Sequence, residues 1–134
     1  MMSPFDQQMS VLREKWPKAR YHDIAGAGGA RLIEIPDYQM PQGWNLRHAT
    51  LLFVAPVGFP AAQPDCFWLE SEGAFVPVRL ENGRTPQNTN DSNPIPGIGP
   101  RGTWFSWHLQ RWNPNLDTLM TYCGVIAQRL KPAR

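Results

Sequence analysis

A chain of 134 residues, 42% of them hydrophobic, is long enough for one core and fits a single domain over 1–134. Its net charge of +2 is too small to argue for a nucleic-acid or anionic-membrane partner. Cys66 and Cys123 lie far apart, as do His22, His48 and His108, which argues against a disulfide framework, a zinc knuckle or any sequence-local metal site.

No apolar run reaches the ~18 residues of a membrane span, and the N-terminus lacks the basic-then-apolar pattern of a secretion signal. The expectation is a soluble cytoplasmic protein without membrane, metal or cofactor. The N-terminus reads as a helix: Ser3 caps it, Pro4 suits its first position, and Asp6 favours its first turn. Phe5, Met9, Leu12 and Trp16 recur at helical spacing until Pro17 ends the run. Ala25-Gly26-Ala27-Gly28-Gly29-Ala30 precedes the strand-like Arg31–Ile35. A phosphate-cradling loop would join a strand to a helix, so this one reads as a hairpin or plain loop.

Pro36–Asn45 reads as a turn. Thr50–Val54 has the continuous apolar character of a central strand, and Asp65–Glu70 alternates, with Phe67 and Leu69 on one face and Cys66 and Trp68 on the other. Phe75–Leu80 is the fourth strand candidate, followed by a turn at Asn82-Gly83. Thr85–Pro100 is almost free of apolar bulk and makes a long loop. Leu116, Leu119, Met120, Cys123, Ile126, Ala127 and Leu130 form the stripe of a last helix. Asn113 or Asn115 would cap it, with Pro114 at its first position, Asp117 in its first turn, Arg129 and Lys131 at its negative end, and Pro132 as its stop. The order predicts an α+β fold: N-terminal helix, antiparallel four-stranded meander, long loop, C-terminal helix.

Two segments carry a family resemblance. Phe59-Pro60-Ala61-Ala62-Gln63-Pro64 resembles the Tyr-Pro-x-x-Pro-Pro segment of ubiquitin-conjugating enzymes, with Phe for Tyr and one proline missing. Trp112-Asn113-Pro114 resembles the Trp-x-Pro that precedes their crossing helix. The bacterial branch called prokaryotic family E carries a Trp-x-x-Trp-Ser-Arg-His-like segment ahead of Trp-x-Pro-Gly-x-Asp. Trp104-Phe105-Ser106-Trp107-His108 and Trp112–Asp117 are similar to it, with Trp107 for the arginine and Asn115-Leu116 in place of the usual glycine. The resemblance covers roughly Leu32 to Leu130. It implies a ubiquitin-conjugating fold in which the last helix crosses the sheet, and a bacterial conjugation pathway with a ubiquitin-like protein, an activating-enzyme relative and a metallopeptidase as partners. Antiphage defence is the implied setting.

The segment that should hold the nucleophile has no thiol. Acyl transfer needs a nucleophile, a route for its proton and donors for the oxyanion. Ser106 and His108 share a face if the backbone is extended, so Ser106 is a candidate oxyester acceptor with His108 as its base or orienter. Cys66 is the rival nucleophile, whereas Cys123 sits on the apolar helix stripe as a small hydrophobe. Among Asn88, Asn90 and Asn93, Asn93 before Pro94 is the candidate oxyanion or loop support. Trp104, Trp107, Trp112, Pro60 and Pro64 would support the site, Trp112 by packing the crossing helix against it. A non-catalytic variant that binds a ubiquitin-like protein or activating enzyme is the alternative. A third reading has Trp104, Phe105, Trp107 and Trp112 stack on nucleic-acid bases beside Arg101 and Arg111.

Overall fold

A computed structural model describes residues 2–134. Helix α1 (Pro4–Lys15) begins as the sequence predicts: the Asp6 N–H donates to Ser3 Oγ at 3.1 Å, and Phe5, Met9 and Leu12 are buried. Strand β1 (Arg20–Asp23) and β2 (Arg31–Gln39) then form a hairpin around the glycine-rich loop. β1 is an edge strand on which only Tyr21 is partly covered, so its residues carry no apolar alternation to read. β2 runs on through the expected turn at Pro36, with a bulge between Ile35 and Tyr38 that absorbs a proline unable to donate to the ladder.

β3 (His48–Ala55) and β4 (Phe67–Glu70) match their predicted segments. Phe67 and Leu69 join the main core and Trp68 the opposite face, as the alternation requires. Phe75–Leu80 is not a strand. Ser71 Oγ accepts the Val76 N–H and Thr103 Oγ1 the Val78 N–H, so side chains replace a ladder partner there, and Phe75 stays 57% exposed. The four-stranded meander is therefore β1–β4, with its first strand ahead of the predicted set.

The long loop contributes β5 (Thr89–Asn90) and a small hairpin of β6 (Pro94–Ile95) and β7 (Gly99–Pro100) before β8 (Thr103–Phe105). The main sheet has the order β1-β2-β3-β4-β8-β5 and every pairing is antiparallel. Gly102 lets the chain enter β8. Its φ is +73°, and a Cβ there would lie 2.4 Å from the Leu69 carbonyl oxygen.

Helix α2 (Leu119–Leu130) starts later than expected. Thr118 and Thr121 cap it reciprocally, while Asn113–Asp117 closes its own turn through Asp117 N–H to Asn113 O at 2.8 Å. Leu116 accordingly leaves the predicted stripe and is 74% exposed, and Asp117 precedes the helix, accepting the Asn113 N–H. Both helices pack on one sheet face over Ile33, Leu51, Phe53 and Phe105. A smaller cluster of Ile24, Leu32, Leu52, Trp68 and Ile95 covers the other face. Burial on both sides explains the unbroken apolar run of β3.

Candidate functional site

The chain leaves β8 into an irregular segment that lines a cleft of about 280 Å³, together with Asn88 from the residue before β5. Its walls are Asn88, Ser106, Trp107, His108 and Gln110. The Ser106 N–H donates to Asn88 O at 3.0 Å, extending the β5–β8 pairing by one step and bringing the serine to the cleft. Asn88 has φ +56°, the left-handed region that asparagine tolerates better than most residues.

Four contacts hold this segment. Gln63 Nε2 donates to Leu109 O at 2.9 Å while the Leu109 N–H donates to Gln63 Oε1 at 3.0 Å. Tyr122 on α2 donates to Trp107 O at 2.8 Å. Trp112 Nε1 donates to Pro60 O at 2.7 Å, and its ring lies against Phe59. Arg129 Nη2 donates to Gln87 O at 2.6 Å, next to Asn88.

Arg129 lies in the last turn of α2, as the sequence predicts. Its side chain is 1% exposed, with its guanidinium 5.1 Å from the Phe105 ring and 5.7 Å from Trp107. Burial, with a smaller contribution from Arg134, pushes its pKa down to about 10. Its Nη1 is the one buried side-chain polar atom without a hydrogen bond among the described residues. No sequence pattern distinguishes such an arginine from one that caps the helix.

Ser106 and His108 thus share the cleft, but no hydrogen bond joins them. The Ser106 hydroxyl has no hydrogen-bond partner among the described residues. His108 Nδ1 instead faces Asp65 Oδ1 at 3.5 Å, with both groups exposed, an acid neighbour the sequence reading did not weigh. Asn93 lies elsewhere: its carbonyl accepts the Trp68 indole N–H at 2.9 Å, and of the three loop asparagines it is Asn88 that meets Ser106. Cys66 is half-buried against the outer cluster beside Trp104. Burial raises its thiol pKa, and a hydrogen bond from Trp104 only partly offsets this. Burial pushes the Cys123 thiol up to about 12.

Trp107 lines the cleft, Trp104 packs on the outer face, and Trp112 sits on the Phe59-Pro60 turn rather than between helix and site. Pro64 is buried in the irregular stretch ahead of Asp65 and β4, and Pro60 contributes its carbonyl. The stacking surface imagined for a nucleic acid is broken up. Phe105 is fully buried and stacked on Phe67, and Arg101 is paired with Glu70 and Glu34.

Away from the cleft, the exposed Asp37, His48 and Glu72 bring ligand atoms within 4.8 Å of one another. Their groups already engage each other and Lys18. Among the described residues no helix is long and apolar enough to cross a membrane. No curated protein and no solved structure matches the chain significantly. The family model of prokaryotic E2 family E matches residues 7–133, nearly the whole chain. The chain therefore belongs to prokaryotic E2 family E.

Proposed function

We propose that this protein is an acyl carrier of the ubiquitin-conjugating type that receives the C-terminus of a ubiquitin-like protein from an activating enzyme as an oxyester on Ser106. Membership of an E2 family implies the conjugating-type role and these two partners. The acceptor residue, the roles below and a conjugate-cleaving metallopeptidase as a third partner are our reading.

The observation that carries it is the cleft shared by Ser106 and His108, with the serine hydroxyl unengaged among the described residues. A serine needs an adjacent base, because its alkoxide is scarce at neutral pH. Asp65 faces His108 Nδ1, which leaves Nε2 to take the Ser106 proton as Oγ attacks the activated carbonyl carbon. The activating enzyme's thiolate leaves, and the Asn88 side chain is the donor to the oxyanion. An incoming amine then attacks the ester carbonyl carbon, the C–Oγ bond breaks, Ser106 takes back the proton that His108 holds, and the amine's surplus proton is released to solvent. Catalytic hydrogen bonds are often long before substrate binds, so two groups in one cleft suit this chemistry. Cys66 is the weaker candidate because its half-buried thiol resists ionisation.

The test is the intact mass of the protein after incubation with its activating enzyme, the processed ubiquitin-like protein and ATP. An adduct that survives thiol reductant, breaks with hydroxylamine and is lost in Ser106→Ala but not in Cys66→Ala is the expected result. Loss only in Cys66→Ala, with reductant sensitivity, moves the nucleophile to β4's entrance. One observation favours a second reading, a non-catalytic member that binds its partners: Ser106 and His108 make no hydrogen bond. No adduct with a charged activating enzyme would establish that reading.

A further inference from the structure

Helix α2 carries a glycine that its own fold does not need. Gly124 lies in the middle of the helix and exposed, and a Cβ added there would meet nothing within 4 Å. Glycine in a helix interior costs about 0.5–1 kcal/mol relative to alanine, and here no close packing and no left-handed backbone offsets that cost. Gly124 instead forms the wall of an apolar groove of about 340 Å³. Met120, Cys123, Gly124 and Ala127, at helical spacing on α2, face Trp16 and Tyr38 across it.

A second depression of about 430 Å³ adjoins the first and shares Lys15 and Trp16 with it. The charged residues of the combined rim are Lys15, Lys18 and Asp37. Lys18 is paired with Asp37 at 3.6 Å, whereas Lys15 lies 4.9 Å above the Trp16 ring with no carboxylate within salt-bridge distance among the described residues. The groove is of a size that accepts an apolar side chain, since small-molecule pockets start at about 300 Å³.

We infer that this groove receives an apolar side chain carried on an acidic segment of a partner protein, with Gly124 keeping the wall open and Lys15 meeting the flanking carboxylates. The inference stands apart from Ser106 and from any acyl transfer.

The probe is a fluorescein-labelled peptide of glutamates and aspartates around one central leucine, read by anisotropy, with a lysine-for-acid version as control. Wild type should bind the acidic peptide saturably and leave the lysine peptide free. Gly124→Leu fills the groove and should weaken binding by about tenfold or more, the factor one buried apolar side chain supplies, without lowering the melting temperature. Gly124→Ala should raise the melting temperature, and Lys15→Glu should weaken binding with the fold intact.

Absence of saturable binding, equal binding of the lysine peptide, or undiminished binding by Gly124→Leu would each overturn the inference. So would a lower melting temperature in both Gly124 variants, which would show the glycine to be structural. Self-association of wild type abolished by Gly124→Leu would overturn it in favour of a second copy of this chain.

Discussion

Replacing Gln63 with methionine removes two hydrogen bonds while keeping the side chain's bulk. Gln63 is the clamp between the Pro60–Pro64 turn and the segment that carries Ser106 and His108, bonded to both backbone groups of Leu109 at 2.9 and 3.0 Å. A net contribution of about 0.5–1.5 kcal/mol for each hydrogen bond gives about 1–3 kcal/mol for the pair. Both bonds are only part-buried, so water can replace some of the lost partners, and the lower part of that range, about 1–2 kcal/mol, applies. For a domain of this size that is a fall in melting temperature of about 3–8 °C. Urea or thermal unfolding measures the loss, and hydrogen exchange locates it. The Leu109 amide should lose protection in Gln63→Met while the amide of Leu52, in the central strand, follows global stability alone. A change of less than about 1 °C with the Leu109 amide still protected would refute the clamp, since the transition must register two lost bonds of ordinary strength.

Trp112→Ala should cost about 2 kcal/mol, one exposed hydrogen bond to Pro60 and one aromatic contact with Phe59, less than a fully buried tryptophan would; urea unfolding checks it. Asp91 accepts from both Arg79 and Thr103, chiefly the former, and its pKa is lowered. Its contribution is therefore present above the ordinary carboxylate pKa near ~4 and lost as pH falls through the lower folded value, so the stability gap between wild type and Asp91→Asn should close in that acid window. An unchanged gap down to pH ~2 would contradict that assignment. Both thiols should resist iodoacetamide at neutral pH, Cys66 gaining reactivity as pH rises and Cys123 reacting mainly on unfolding. Fast neutral labelling of Cys66 would return it to contention as the nucleophile.

Much of the fold is legible where local signals agree with burial. The Ser3 cap with Pro4 behind it, the stripe of Phe5, Met9 and Leu12, and the unbroken run of β3 each state their element and its covered face. Local signals mislead where two compete. Asn113-Pro114 has the look of a helix start, but Thr118 and Thr121 form the reciprocal cap and the helix begins there. Phe75–Leu80 has strand composition, yet its amides find Ser71 and Thr103 instead of a neighbouring strand.

The segment to watch, Trp104–His108, is marked by sequence because its residues are adjacent and resemble a family pattern. Its neighbours are not marked, because Asn88, Gln63, Asp65 and Arg129 come from distant parts of the chain and meet it only through the pairing of β8 with β4 and β5 and the packing of α2. The choice of Asn88 over Asn93 is a matter of register: Thr89 pairs with Phe105, which sets the residue before it beside Ser106. The sequence by itself determined the elements whose stabilising contacts are local, along with family membership and the absence of a thiol beside His108. Only the tertiary structure decided which polar groups share a cleft, which arginine is buried and which glycine faces a groove, because those depend on long-range pairing and desolvation that no short stretch of chain records.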